Sequence, residues 1–152
     1  MDKMHPIMNS SLGPCIKNGL QAVGKPDRVS LKNTRTKAKS VDIDRCLQED
    51  YPNENRWDYA VFIEIDDILK TAFIEIHPAN ESEVDEVIKK ALWMKRWIRD
   101  NQIRVITKNR KFFWVSSGKV SISKNSQKIC LLGKHGIQGP QEHLVVDKIM
   151  RD

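Results

Sequence analysis

The chain has 152 residues, 26 of them Lys or Arg against 20 Asp or Glu, for a formal net charge of +6; that length suits one domain with a real core. Its longest aliphatic or aromatic run, Ala60-Val61-Phe62-Ile63, is far below the roughly 18 to 20 residues a membrane helix needs, and the opening Met1-Asp2-Lys3-Met4-His5-Pro6 leads into no apolar signal region, so a cytoplasmic location without membrane contact is expected. Cys15, Cys46 and Cys130 are odd in number and form no C-x-x-C pair, which signals neither a disulfide frame nor a zinc site and predicts reduced thiols.

Charge is segregated along the chain. Residues 1–40 hold eight bases and two acids, residues 41–88 fourteen acids and three bases, and residues 89–128 twelve bases and one acid. Such a layout suits a polyanion on one surface, or oppositely charged faces attracting each other within the fold. Residues 1–40 show no sustained period and predict a basic, flexible N-terminal arm ahead of a single α+β domain over 41–152. Ser40 is placed to cap a short helix through about Asp50, with Ile43 and Leu47 on one face and Tyr51-Pro52-Asn53 as its stop.

Two strands follow. In the first, Trp57, Tyr59, Val61, Ile63 and Ile65 alternate with Asp58, Ala60, Phe62 and Glu64, so one face is a core face. The second, Thr71 to His77, ends in Glu75-x-His77. After Pro78, Asn80 as N-cap and Glu83 three residues on predict a capping box, and Val84, Val87, Ile88, Ala91, Met94 and Ile98 form one stripe of a long amphipathic helix. Trp93 and Trp97 fall on nearly the opposite side, near Lys89, Lys90 and Arg96. That grouping could stack bases and bind phosphates, or the tryptophans could be covered by other segments of the domain. Ile103 to Thr107, Phe112 to Ser116, Val120 to Ile122 and Leu144 to Val146 read as strands, with a short helix from Ser126 closed by Gly136.

The fold expected is α+β, a small mixed or antiparallel sheet with the long helix packed on it. The order helix, strand with Asp58, strand with Glu75-x-His77, helix, strand resembles the core of the PD-(D/E)XK nuclease superfamily over roughly residues 40–116. The resemblance implies a restriction-endonuclease-like core in which Asp58 and Glu75 ligate Mg²⁺ or Mn²⁺, Ile76 lends its carbonyl, and His77 takes the lysine position. Asp58, Glu75 and His77 would then be the catalytic residues. Glu49 could supply an extra acid, and Lys89 and Lys95 lie on the helix where a migrated lysine is sometimes found.

Hairpin register decides whether these residues can meet. A four-residue loop, Asp66 to Leu69, sets Asp58 opposite His77 with Glu75 on the same side, whereas a five-residue loop puts Asp58 and Glu75 on opposite faces. Two carboxylates about 5 Å apart repel by roughly 3 kcal/mol at an effective dielectric of 20, so such a pair calls for a cation or proton between them. The functional expectation is a nucleic-acid-binding protein acting as a metal-dependent phosphodiesterase or nuclease on DNA or RNA. The alternative is a non-catalytic α+β module that binds a protein partner through the Trp93/Trp97 helix face.

Overall fold

The computed structural model describes residues 2–151 as an α+β fold built on a six-stranded sheet in the order β1-β3-β4-β5-β6-β7. The strands are β1 (Lys17–Asn18), β3 (Ala38–Asp42), β4 (Tyr59–Ile65), β5 (Ile68–His77), β6 (Arg110–Ser116) and β7 (Ile137–Gln141); β2 (Val29–Ser30) pairs apart with β8 (Leu144–Val145). From β1 to β5 the pairs are antiparallel, and β5-β6 and β6-β7 are parallel. Parallel neighbours need a crossover. Between β5 and β6 it is the 17-residue helix α3 (Val84–Asp100), and α4 (Gln127–Lys134) precedes β7. Three single-turn helices complete the fold: α1 (His5–Met8), α2 (Ile43–Cys46) and α5 (Val146–Ile149). No helix among the described residues is long and apolar enough to cross a membrane.

The sheet is buried on both faces. Ala60, Phe62, Phe73, Phe112 and Trp114 pack with the α3 stripe Val84, Val87, Ile88, Ala91, Met94 and Ile98. On the other side Val61, Ile63, Ile74, Phe113 and Val115 meet Val29, Leu144, Val146 and Met150. The expected single core face of β4 is therefore two. Burying such side chains contributes roughly 1.5–3 kcal/mol each before the entropy of ordering them is counted, which explains why β4 and β5 sit at the centre. Trp57 precedes β4 and leaves its alternation, packing on the α3 side with its Nε1 donating to the Tyr59 carbonyl at 3.1 Å.

Residues 1–40 are not a free arm. Met4, Ile7 and Leu12 are buried in the α3-side core, Val23 and Val29 in the other, and β3 is an interior strand of the sheet. Scattered apolar residues without a period supply these contacts, so the pattern gave no warning of them. Cys15 and Cys46 form a disulfide with a Cα–Cα distance of 6.0 Å, tying this segment to α2, while Cys130 is free and exposed. The expectation of reduced thiols fails for the first two because the fold, not their spacing, brings them together.

Other boundaries shift for identifiable reasons. Ser40 is buried in β3, its Oγ accepting the Ala22 N–H at 3.1 Å, and Asp42 caps the shorter helix instead by accepting the Arg45 N–H at 2.9 Å. Residues 103–107 form a single 3-10 turn, Arg104–Ile106, rather than a strand. Ser121 makes only an isolated bridge to Asn80. Leu144 and Val145 form β8, and the chain then turns into α5. Strand β7 runs through Gly139, whose positive φ and approach to the Trp114 carbonyl leave no room for a Cβ.

Candidate functional site

The β4-β5 hairpin closes on two residues, Asp66 and Asp67, both at positive φ (52° and 63°). Positive φ at both central positions is the type I′ geometry that matches the twist of the flanking strands. The loop is shorter than either length weighed from the sequence, yet its parity is the one that brings the acids together. Tyr59 pairs with Ile74, and the same register carried one step further sets Asp58 opposite Glu75. Both acids face α3, with Ala60, Phe62 and Phe73.

The backbone fixes each carboxylate by one oxygen. Asp58 N–H donates to Glu75 Oε1 at 3.1 Å, and Ile76 N–H donates to Asp58 Oδ2 at 3.0 Å. The remaining oxygens, Asp58 Oδ1 (3.2 Å) and Glu75 Oε2, both accept from the Lys90 ammonium on α3. Glu75 is fully buried, and the side chains of Asp58 and Lys90 are 20% and 14% exposed. Burial, then the neighbouring Glu75 charge, pushes the Asp58 carboxyl up to about 6 against the pull of Lys90 and the Ile76 N–H. Burial by itself would lower the Lys90 ammonium, but Glu75 and Asp58 outweigh it and raise the group.

His77 stands at the rim. Its Nδ1 lies 3.5 Å from Glu75 Oε2 and its Nε2 2.8 Å from Glu83 Oε2. The hydrogen bond to Glu75 raises the imidazole pKa, burial opposes it, and Glu83 adds to the rise. Glu83 is thereby spent on His77 rather than on the expected capping box. Residues 81–83 form a 3-10 turn, Asn80 makes no side-chain cap, and α3 proper begins at Val84.

The structure thus gathers Asp58, Glu75 and His77 as expected and adds Lys90, which the sequence had suggested only as a nucleic-acid contact. Lys89 is exposed, and Lys95 reaches away to the His135 carbonyl at 2.7 Å. Helical geometry carried the missed signal: Lys90 lies three residues after Val87 and four before Met94, on the side that packs against the sheet. Glu49 is exposed beyond α2 and lines a cleft with Cys15, Lys17 and Arg45. Trp93 and Trp97 are buried in the core cluster that also holds Met4, Ile7 and Leu12. Trp93 donates to Glu54 Oε1 at 2.8 Å and meets Tyr51 edge-on with ring centroids 5.7 Å apart. Neither tryptophan offers a face for stacking bases or for docking a protein. Lys89 and Arg96 stay on the solvent side with Leu92 and Arg99.

Among the described residues no group of three or more His, Cys, Asp or Glu is arranged to hold a metal. Mg²⁺, however, is commonly held by one or two carboxylates, with waters and substrate oxygens completing its shell. Two carboxylate oxygens aimed at one cation, with their partner oxygens fixed by backbone, fit that hard-oxygen chemistry. No family model, curated protein or solved structure matches this chain.

Proposed function

We propose that the protein is a Mg²⁺- or Mn²⁺-dependent phosphodiesterase acting on nucleic acid, with Asp58 and Glu75 as metal ligands, Lys90 as the catalytic lysine and His77 as its helper. The observation that carries this reading is the convergence of Asp58 Oδ1 and Glu75 Oε2 on the Lys90 ammonium at the ends of adjacent strands. An ammonium between two buried acids occupies the position a divalent cation would take, and it lies within reach to become the site's fixed positive charge when displaced.

A bound divalent cation would polarise a phosphoryl oxygen and ease deprotonation of water. The protein's own groups do the rest. Asp58 and Glu75 are oriented before substrate arrives, because backbone N–H groups already fix one oxygen of each. Lys90 Nζ, released from the acids, donates hydrogen bonds to the phosphoryl oxygens and stabilises the charge that grows on them. His77, anchored by Glu83, holds a proton at the edge of the site where an attacking water or a leaving oxygen would lie. The polyanionic substrate is supported by charge: residues 89–128 carry twelve bases and one acid, and Lys89, Arg96 and Arg99 present theirs outward on the helix that bears Lys90.

Plasmid DNA and RNA incubated with and without Mg²⁺ or Mn²⁺ test the reading. Native protein should cleave one of them only with metal, and Glu75→Ala and Lys90→Met should each lose about 10²-fold or more. Cleavage that persists in Glu75→Ala, or none by the native protein, would overturn it.

A further inference from the structure

On the sheet face away from α3, the loop after β2 and helix α5 enclose a cleft of about 470 Å³ lined by Lys32, Asn33, Thr34, Asp147, Lys148 and Arg151. That volume falls within the range of small-molecule sites. Its floor is Asp147, 2% exposed. Asp147 Oδ1 accepts the Lys32 N–H at 2.7 Å, and Oδ2 accepts the Asn33 N–H at 2.9 Å and the Thr36 hydroxyl at 3.1 Å. Asn33 Oδ1 in turn accepts the Arg35 N–H at 3.0 Å. The carboxylate and the amide oxygen are therefore both committed within the protein.

What remains free is a set of donors: the Asn33 amide nitrogen, the Thr34 hydroxyl and the charged heads of Lys32, Lys148 and Arg151. Among the described residues none of these three cations lies within ion-pair distance of a carboxylate. Nor are they needed to cap α5. Lys111 Nζ donates to the Ile149 carbonyl at 3.1 Å and Lys70 Nζ to the Met150 carbonyl at 2.7 Å, so two other lysines satisfy that helix end and add to the positive field. Three cations against one carboxylate already satisfied within the loop, with a free amide NH₂ and a hydroxyl beside them, match a ligand that is rich in acceptors and doubly charged.

We propose that this cleft binds a phosphate group, supplied either by a small phosphate ester or by a nucleic-acid backbone. It is independent of the Asp58–Glu75 centre, so Glu75→Ala leaves it intact. The test is a titration of the full chain with inorganic phosphate, adenosine monophosphate and a short single-stranded oligonucleotide, followed by backbone amide chemical shifts at low salt. Saturable shifts confined to residues 32–36 and 147–151 are expected. Lys148→Ala with Arg151→Ala should weaken binding about tenfold or more, while the exposed pair Lys3→Ala with Lys134→Ala, outside both the cleft and the 89–128 basic block, should leave it unchanged.

Tight binding of phosphate or the mononucleotide identifies a free phosphate ester as the ligand. Tight binding of the oligonucleotide with weaker but localised binding of phosphate identifies a backbone. Should the double variant melt early, Lys32→Ala, an exposed side chain, provides the same reading. Shifts that do not saturate, that acetate reproduces equally, or that both double variants reduce alike would overturn the proposal.

Discussion

Replacing Lys90 by Met removes the one cation between two acids while keeping a long apolar stem. Glu75 is fully buried and the Asp58 side chain is 20% exposed, so water can replace the ammonium only at the Asp58 edge and not at Glu75. Two carboxylates about 5 Å apart repel by roughly 3 kcal/mol at an effective dielectric of 20, and removing one partner of a buried ion pair typically costs about 3–5 kcal/mol. Each kcal/mol moves the melting temperature of a chain this size by about 2–4 °C, so Lys90→Met should melt roughly 6–20 °C lower at pH 7. Asp58 is already pushed up to about 6, and without Lys90 it rises further. A carboxyl raised in the folded state binds more protons folded than unfolded between its unfolded value, near 4, and its folded one. Stability therefore falls as pH rises through that window, and the variant's deficit should be smaller at pH 5 than at pH 7. Circular-dichroism melts of both proteins at the two pH values measure this. With Mn²⁺ at about 100-fold over its dissociation constant, the variant should regain about 2.7 kcal/mol. A native-like melt at pH 7, or an equal deficit at both pH values, would refute the ion-pair reasoning.

Trp93→Ala should lose about 3–5 kcal/mol in urea denaturation, the cost of a core cavity; an unchanged midpoint would mean the ring is a surface group after all. Cys15→Ser with Cys46→Ser opens a loop spanning 31 residues and should cost about 3–4 kcal/mol. Added reductant should produce the same shift in the native protein and none in the variant. Asp147→Ala removes the acceptor of two N–H groups and a hydroxyl, a loss of roughly 2–3 kcal/mol at pH 7. Burial alone would raise the Asp147 carboxyl, but the Asn33 and Lys32 N–H groups and the Thr36 hydroxyl outweigh it and hold it low. Its contribution is thus present above the unfolded value near 4 and is lost as pH falls through the folded one, so native and variant stabilities should converge in acid.

The elements that carry chemistry were legible because their signals are local. Alternation marked β4, the Glu75-x-His77 end marked β5, and a sustained stripe marked α3. The acids stood out as candidates, but whether they meet turned on hairpin parity, which the sequence left open between a four- and a five-residue loop and the two-residue turn at Asp66 and Asp67 decides. What escaped notice depends on distant contacts. Segment 1–40 has no period, yet Met4, Ile7 and Leu12 are buried in the same core cluster as Trp93 and Trp97. Grouping Lys90 with those rings as a nucleic-acid contact drew it to the wrong surface, because it lies between Met94 and Trp97 around the helix and all three are turned inward. Glu83 illustrates the competition between local and tertiary demands: its spacing from Asn80 fits a capping box, but the nearby imidazole takes its carboxylate.

The central claim is that Asp58 and Glu75 form one cation-binding notch, and calorimetric titration of Mn²⁺ into native protein and Glu75→Gln at pH 7 addresses it directly. The account predicts saturable binding near one ion per chain in the native protein and its loss in the variant. Equal binding by both proteins, or none by the native one, would contradict it.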